Sequence, residues 1–534
     1  MQSGVEQLLD ELNTTDNIKA LFRRYGRHYG WYAIAAVSLG NIAALVTGTI
    51  INVAIPDIMG AFGINQDEAQ WLSTAYLAAS TVTMLLTSWM VQAVGLRNTM
   101  ITAMSLFMTG SLIGGLSPNT DVMIIARILQ GTTAGFIGPL SMSIIFQVFP
   151  PGKQGMAMGV TSVGVILAPS VGPAIGGVLV DNLSWRYVFL MGIPFSALCL
   201  PMAMLYLPGR EPDAVRTPFD WNGLLLLSIA LVCLLVGLSN GEKEGWGSDV
   251  ILTYFGIAFV LGWLFIYWQR HYRYPLLNLK LFANRNFAIM SLVGFVFGAG
   301  LYGSTYLVPL FLQIIQRMSP TDAGIMMMPA GLTLALVFPL SGRLADRYDL
   351  RILISAGILF FACSFYLMNG ADPDTSFWTF AWWLILGRIG IGLVMPSLSM
   401  GALRELPMEL VTQGSGALNF IRQLGGAYGV NLMSLTLARR TNFHTDQLAA
   451  TQAYGNTEMS EWIEGLRQLL AEAGLVPVEQ TAAAMHYLGM VVYRQAMVLG
   501  FRDAFLIVSL AFLFTLLPTW LLRNTRKPAP MAPA

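Results

Sequence analysis

An arginine and a glutamine interrupt one apolar run of this sequence and are the first candidates for chemistry. Arg127 and Gln130 lie within residues 124–131, where the other side chains are aliphatic or small. An ionisable group surrounded by hydrocarbon is costly unless it faces a polar cavity or a partner, and such a group is functional by default. The alternative is an arginine whose donors are satisfied by backbone carbonyls at a helix bend. We favour the functional role.

A second polar group also lies in an apolar part of the chain. Asn419, Arg422 and Gln423 are close together there, and Arg388 is a third arginine in or near an apolar run. None of the twenty-nine acidic residues, in contrast, lies near the middle of such a run. Small-molecule cavities have apolar walls with a few polar contacts, so the group around Arg422 is a candidate lining. For Arg388 a structural role is favoured.

The sequence lacks the patterns of an enzyme or of an ATP-driven machine. It contains no nucleophile–base constellation, no phosphate-binding Walker loop and no metal-ligand spacing. Cys199, Cys233 and Cys363 are far apart in apolar runs, which fits packing rather than a disulfide or metal site. The net charge of +1 gives no indication of nucleic acid binding. We therefore expect no catalytic residue, cofactor, metal or nucleic-acid partner.

Helices that cross a membrane must position these polar groups. The chain is 55% hydrophobic and only 11% charged, so its apolar surface requires the lipid bilayer as solvent. A spanning helix needs about 20 apolar residues. This measure predicts fourteen spans, at residues 31–53, 69–90, 98–117, 121–146, 155–180, 186–207, 219–240, 250–270, 286–315, 322–342, 350–370, 377–401, 414–438 and 500–522.

The basic residues of the short connections predict the orientation. One set of connections carries Arg97, Lys153, Arg210, Arg216, Arg270, Arg273, Lys280, Arg285, Arg343, Arg347, Arg351 and Arg404. The termini belong to the same side, with Arg23, Arg24, Arg27, Arg523, Arg526 and Lys527. The opposite set is acidic or nearly neutral and includes Asp57, Glu68, Asp181, Glu242, Glu244, Asp372 and Asp374. Basic connections remain in the cytoplasm, and residues 1–27 are polar rather than a signal peptide. We expect a multi-pass membrane protein with both termini cytoplasmic.

Several motifs resemble those of one family. Residues 127–131 (Arg-Ile-Leu-Gln-Gly) resemble the fourth-helix motif of the major facilitator superfamily. Residues 172–177 (Gly-Pro-Ala-Ile-Gly-Gly) resemble its fifth-helix antiporter motif, a signature of exporters, and residues 342–347 (Gly-Arg-Leu-Ala-Asp-Arg) closely match its loop motif. Residues 387–392 restate the pattern at 127–131, which indicates an internal repeat.

The resemblance covers essentially the whole chain and points to the fourteen-span drug:proton antiporter branch, the EmrB/QacA type. It implies an all-α protein of the bacterial inner membrane with the major facilitator fold: 14 transmembrane helices in two pseudo-symmetric six-helix bundles plus an inserted two-helix hairpin. The expected parts are a cytoplasmic segment (1–30), an N-terminal bundle (31–207), the hairpin (219–270), a C-terminal bundle (286–522) with an external loop (439–499), and a cytoplasmic tail (523–534).

The resemblance also implies roles for single residues. Arg127 matches an arginine implicated in proton transfer in the family, so Arg127 and Gln130 are expected to take part in proton coupling. The glycines and the proline of helix five would let that helix bend and seal against its neighbour, while the loop motif latches the cytoplasmic side. The expected conformational switch comprises Gly172, Pro173, Gly176, Gly177, Gly342, Asp346 and Arg347.

The sequence departs from this branch at helix one. Many members have an aspartate just before a Thr-Ile-Val-Asn string, but here Thr47 takes its place and Asn52 belongs to the string. A carboxylate that protonates at neutral pH needs desolvation or a charge partner. The remaining candidates for the proton carrier are Asp503 and the like-charged pair Asp67 and Glu68, each with the alternative of an interface-anchoring charge.

The same reasoning predicts the sign of the transported molecule. An organic cation is unfavourable in a membrane cavity without a carboxylate, whereas guanidinium groups suit carboxylates and sulfonates. We therefore expect proton-driven export of amphipathic small molecules that are anionic or weakly acidic. The alternatives are export of a dedicated metabolite, such as a siderophore or fatty acid, and a non-transporting sensor on the same scaffold. The expected substrate-binding residues are Thr47, Asn52, Tyr76, Tyr302, Tyr306, Gln313, Asn419, Arg422 and Gln423.

The external segment raises the question of a protein partner. Residues 458–473 are predicted to form an amphipathic helix whose apolar stripe contains Trp462, Ile463, Leu466, Leu469 and Leu470. Such a helix either caps the transporter or docks a periplasmic adaptor that leads to an outer-membrane channel. The sequence leaves both interpretations open.

Overall fold

The structure is a computed structural model that describes residues 15–150, 152–210, 218–451 and 457–522. The regular secondary structure of these ranges is helical. The helices are α1 (Asp16–Tyr25), α2 (Tyr29–Phe62), α3 (Gln66–Val94), α4 (Leu96–Gly115), α5 (Thr120–Val148), α6 (Gln154–Asn182), α7 (Arg186–Leu190), α8 (Ile193–Tyr206), α9 (Trp221–Glu244), α10 (Asp249–His271), α11 (Arg285–Ile314), α12 (Pro320–Arg347), α13 (Leu350–Met368), α14 (Phe377–Leu403), α15 (Met408–Thr451), α16 (Thr457–Glu472), α17 (Pro477–Phe514) and α18 (Leu516–Trp520).

Polar residues in the short connections begin many of these helices. The Asn119 side chain accepts a hydrogen bond from the Val122 amide at the start of α5 (3.0 Å). The Ser319 hydroxyl likewise accepts a hydrogen bond from the Asp322 amide at the start of α12 (3.1 Å). Each cap satisfies an amide that has no partner within the helix. The connections between hydrophobic helices can therefore stay short.

The helices agree with a membrane protein. A helix, or a pair of consecutive helices, covers most of each of the fourteen expected spans. Within the described ranges, eleven helices are long and apolar enough to cross a membrane, judged by length and composition. The number of fourteen spans remains a prediction.

The two halves of the chain pack in the same way. In the first half α2 packs on α6 and α3 on α5, and in the second half α11 packs on α15 and α12 on α14. The halves meet through α6 with α12 and through α15 with α3 and α5. We call the side on which α2, α4 and α6 begin the basic face, and the opposite side the acidic face.

The hairpin of α9 and α10 lies against both halves, since α9 packs on α3 and on α15. Its end at the basic face is fixed by Asp220, whose exposed fraction is 2%. The Asp220 carboxylate accepts hydrogen bonds from Trp268 Nε1 (2.8 Å) and Gln269 Nε2 (2.7 Å). This carboxylate therefore joins the beginning of α9 to the end of α10.

The segment expected as an external loop is helical in its described part. Helix α15 continues to Thr451, α17 begins at Pro477, and α16 forms where the amphipathic pattern predicts a helix. At 1.5 Å per residue, α15 is roughly 66 Å long, about twice the hydrocarbon thickness of a bilayer. Residues 431–451 contain no glycine or proline, so nothing in the sequence ends the helix where the apolar run ends. Helices α15 and α17 pack along each other, and α16 packs on α17.

Candidate functional site

Arg127 is fully buried where α2, α3 and α5 converge. Its Nε donates to the Leu72 carbonyl of α3 at 2.8 Å, and its Nη1 donates to the Thr47 carbonyl of α2 at 3.2 Å. Arg127 is the seventh residue after Thr120, so it lies roughly 10 Å below the acidic face. Backbone carbonyls therefore accept hydrogen bonds from two of the three guanidinium nitrogens of Arg127, as expected for an arginine with a structural role.

Gln130 and Tyr76 complete the surroundings of Arg127. Nη1 also donates to Gln130 Oε1 at 3.1 Å, and Gln130 Nε2 donates to Ser111 Oγ of α4 at 3.0 Å. The guanidinium carbon lies 4.3 Å from the centre of the Tyr76 ring, which attracts the cation. The Tyr76 hydroxyl donates to the Ala44 carbonyl at 2.8 Å. Four helices thus hold one cation in a fixed position.

One nitrogen of this cation is not used. Arg127 Nη2 is buried without a hydrogen-bond partner in the described part of the chain, and so is the hydroxyl of Thr47. A buried unsatisfied donor is costly and calls for an explanation. No carboxylate of the described residues forms an ion pair with Arg127. The site therefore presents a charged donor that an anionic group or a proton-carrying partner could use.

A second cation, Arg422 of α15, lies among polar groups at the contact between the halves. Its Nη2 donates to Asn419 Oδ1 at 2.5 Å, while its Nη1 is buried without a partner in the described residues. Gln423 Nε2 crosses to α3 and donates to Ser80 Oγ (2.7 Å) and Thr81 Oγ1 (3.0 Å). The structure thus brings the three predicted residues of α15 together and adds two hydroxyls that sequence reasoning missed.

Two tyrosines of α11 lie against α15. The ring of Tyr302 packs on Gly426, where an added Cβ would lie 2.4 Å from Tyr302 Cδ2, and 42% of the Tyr302 surface is exposed. Tyr306 donates to Ser434 Oγ of α15 at 3.3 Å. Gln313 is exposed near the end of α11, seven residues or roughly 10 Å beyond Tyr306. The structure therefore groups both tyrosines with α15 but leaves Gln313 outside this group.

The candidate proton carriers differ in their surroundings. Glu68 is exposed and caps α3, where its carboxylate accepts from the Asn65 amide at 3.3 Å. Asp503 lies between α15 and α17 and accepts from Arg440 Nε (2.5 Å) and His444 Nε2 (2.7 Å). The side chains of Asn52, Asp67 and Pro173 lie outside the described residues. Because two basic side chains hold Asp503, its geometry also fits an anchor between the two long helices.

Glycines of helix α6 allow it to approach α2 closely. A Cβ atom at Gly172 would lie 2.8 Å from Thr49 Oγ1, and one at Gly176 would lie 2.6 Å from Ile50 Cγ1. Real Cβ atoms avoid such distances, so a larger residue would push the helices apart. A Cβ at Gly177 would meet no heavy atom of the described residues within 4 Å. Two of the glycines of the motif are therefore contact points, and the third faces open space.

The loop motif joins the two halves at the basic face. Asp346, near the end of α12, accepts from the amides of Gly155 (2.9 Å) and Met156 (3.0 Å) at the start of α6. A carboxylate is stabilised by the free amides and the dipole of a helix N-terminus. A Cβ at Gly342 would lie 2.0 Å from the Gly155 carbonyl oxygen, so the two backbones touch. Sequence reasoning missed Gly155 and Met156, because backbone amides leave no signal in the sequence.

Comparisons with known proteins agree with this architecture. The Major Facilitator Superfamily profile matches residues 37–430. The multidrug export protein EmrB of Escherichia coli (strain K12) is 30% identical over 417 residues, which cover 77% of this chain and 81% of EmrB. The fatty acid resistance protein FarB of Neisseria gonorrhoeae is 28% identical over 503 residues, covering 93% of this chain and 96% of FarB. The crystal structure of the human organic anion transporter MFSD10 covers 90% of this chain and 99% of its own at 14% identity and a TM-score of 0.58, a likeness of fold.

Proposed function

Because the chain belongs to the Major Facilitator Superfamily, we propose that it is a fourteen-span inner-membrane exporter that moves amphipathic anions or weak acids against proton entry. The observation that carries this proposal is the Arg127 site, a buried cation with an unused nitrogen and no ion-paired carboxylate among the described residues. The name of FarB, a fatty acid resistance protein, supports a weakly acidic cargo. The names of EmrB and its relatives support export.

The contacts at the basic face support alternating access. Asp346 binds the start of α6 there, and the hydroxyls of Ser143 and Thr412 join α5 to α15 at 2.6 Å. With the basic face in the cytoplasm, these contacts close the protein on the cytoplasmic side. Opening of that side requires Asp346 to leave the α6 amides. The loop motif then acts as a latch, and Gly172 and Gly176 let α6 slide on α2.

Proton coupling would use Arg127 and Gln130 with a carboxylate nearby. Glu68 precedes Leu72 by one helical turn, and Leu72 supplies the carbonyl that Arg127 binds. A proton that arrives at Glu68 or Asp67 therefore changes the charge one turn from the Arg127 site. Asp503 is the less suitable carrier, because Arg440 and His444 already hold its carboxylate in place between the two long helices.

Exchange of protons for cargo can be measured directly. Inside-out vesicles with an acidic lumen, containing the purified protein, are given an amphipathic alkyl sulfonate, which stays charged at every pH used. We expect sulfonate uptake and a rise in lumenal pH, because protons leave as the cargo enters. Uptake that persists after the proton gradient is collapsed would contradict proton coupling. Absence of any uptake, together with a signalling phenotype that survives changes in residues 172–177, would favour the sensor.

The helix α16 is the candidate docking surface for a periplasmic adaptor. Of its apolar stripe, Trp462 and Leu469 are exposed (41% and 63%), whereas Leu466 is partly buried. The Trp462 ring also stacks on Tyr487 of α17, with 6.0 Å between ring centres. Leu469 is therefore the residue of the stripe most accessible to a partner, since Trp462 also packs on α17 and Leu466 contributes to the packing of the helix.

This difference gives a test of the partner. We expect Leu469→Glu to reduce co-purification of a single-span adaptor by about tenfold without lowering expression, since an exposed apolar contact is worth roughly 1–2 kcal/mol. Leu466→Glu should instead lower the thermal stability of the transporter itself. If Leu469→Glu leaves co-purification unchanged, α16 only caps the protein.

A further inference from the structure

A cavity of about 220 Å³ lies between α3 and the hairpin helix α9. From α3 it is lined by Gln70, Trp71 and Thr74, and from α9 by Ser239, Asn240 and Glu244. At about 100° per residue, the α3 residues of the cavity lie on the opposite side of the helix from Leu72 and Tyr76, which contact Arg127. The cavity is therefore separate from the Arg127 site.

The position of the cavity matches the level of lipid headgroups. Gln70 is in the second turn of α3, and Glu244 is the last residue of α9, so both are near the acidic face. Gln70 Nε2 donates a hydrogen bond to Ser239 Oγ and joins the two helices at this point. At about 220 Å³ the cavity is smaller than the sites that hold drug-sized ligands, which run from roughly 300 to 1,000 Å³.

The chemistry of the lining is opposite to that of the Arg127 site. Glu244 is the one ionisable side chain among the described residues that line the cavity, and it is exposed. Trp71 is 40% exposed, and the other polar atoms belong to amides and hydroxyls. An indole face and a carboxylate together attract an alkylammonium ion, which the indole binds through its π electrons. Among the described residues of this lining, none would offer an anion a positive charge.

We propose that this cavity binds a small alkylammonium group. Two sources share that chemistry, the headgroup of phosphatidylethanolamine and a free amine. In either case the bound group lies between Glu244 and Trp71 and bridges the hairpin to α3. The site takes no part in the export pathway proposed above, and the sign of its ligand is the opposite of the cargo's.

Binding of radiolabelled tetramethylammonium to the purified protein in phosphatidylglycerol nanodiscs tests the proposal. We expect saturable binding that Glu244→Gln and Trp71→Leu each weaken by at least about tenfold, as loss of one charged or cation–π contact implies. The control Glu405→Gln makes the same charge change on an exposed side chain of the basic face and should not alter binding. Absence of saturable binding, or binding that neither substitution affects, would overturn the proposal.

A second lipid composition identifies the source of the group. In nanodiscs that contain phosphatidylethanolamine, a resident headgroup competes and raises the apparent Kd of tetramethylammonium in the unchanged protein. Equal Kd values in both lipids support a free amine as the natural ligand. In either lipid, similar thermal stability of Glu244→Gln and the unchanged protein ensures that lost binding is not lost folding.

Discussion

We expect Gly172→Leu and Gly176→Leu each to abolish export while the protein stays in the membrane. A Cβ added at Gly172 would lie 2.8 Å from Thr49 Oγ1 of α2, and one added at Gly176 would lie 2.6 Å from Ile50 Cγ1 of α2. Overpacking of this kind costs roughly 1–3 kcal/mol, which shifts a two-state equilibrium by about 5- to 150-fold. If close contact of α6 with α2 belongs to one state of the transport cycle, that state becomes too rare for turnover.

Gly177 provides the matched control for this prediction. It belongs to the same motif and the same helix, but a Cβ there would meet no atom within 4 Å in the part of the chain that the structure describes. Gly177→Leu should therefore retain export. The comparison is made by sulfonate uptake into vesicles that contain equal amounts of each variant. Full uptake by both Gly172→Leu and Gly176→Leu would refute the role of the motif, and equal loss by all three variants would indicate a general effect of bulk.

The second large effect is expected at Arg127. Arg127→Met removes the charge but keeps an apolar side chain of similar length, and it lowers the stability to the extent that the Leu72 and Thr47 carbonyls lose their donors. In vesicles with equal amounts of folded protein, we expect uptake to fall by about a hundredfold, because the unused charged donor Nη2 is gone and a hydrogen bond to a charged group is worth roughly 1.5–3 kcal/mol. Arg127→Lys keeps the charge but cannot reach both carbonyls, so an intermediate loss is expected.

Arg388 is the control for Arg127, because it occupies the repeated position in the second half. It borders a small cavity lined by Ser304, Ser364 and Phe365. Arg388→Met should retain most of the uptake. Equal losses in both variants would mean that the two arginines act only through packing, and an unimpaired Arg127→Met would remove Arg127 from the mechanism.

Part of the site follows from the sequence because its members are close along the chain. Arg127 and Gln130 are three residues apart, which places them on one face of a helix, and the same spacing joins Asn419 to Arg422. The family, confirmed by the match over residues 37–430, could also be predicted from such local motifs. Patterns of this kind can be recognised without any knowledge of the tertiary structure.

The rest could not be predicted, because it depends on backbone groups and on the packing of distant helices. The carbonyls of Thr47 and Leu72 bind Arg127, yet any residue type could supply them. The ion pair of Asp503 with Arg440 forms because α15 and α17 continue past the apolar runs and pack along each other. The sequence predicts a loop at residues 439–499, which places Arg440 in a loop and Asp503 in a membrane span. The contact between them could therefore not be predicted.

The sign of the cargo is the central claim, and a pair of permanently charged amphiphiles tests it most directly. An alkyl sulfonate and a quaternary ammonium compound of equal chain length are compared for gradient-driven uptake into inside-out vesicles, with the unchanged protein and with Arg422→Ala. Arg422 offers a buried nitrogen without a partner among the described residues. A guanidinium can bind an oxyanion such as a sulfonate through two parallel hydrogen bonds. The account predicts that the sulfonate is taken up, that the cation is not, and that Arg422→Ala lowers sulfonate uptake by at least about tenfold. Uptake confined to the cation and unaffected by Arg422→Ala would contradict it.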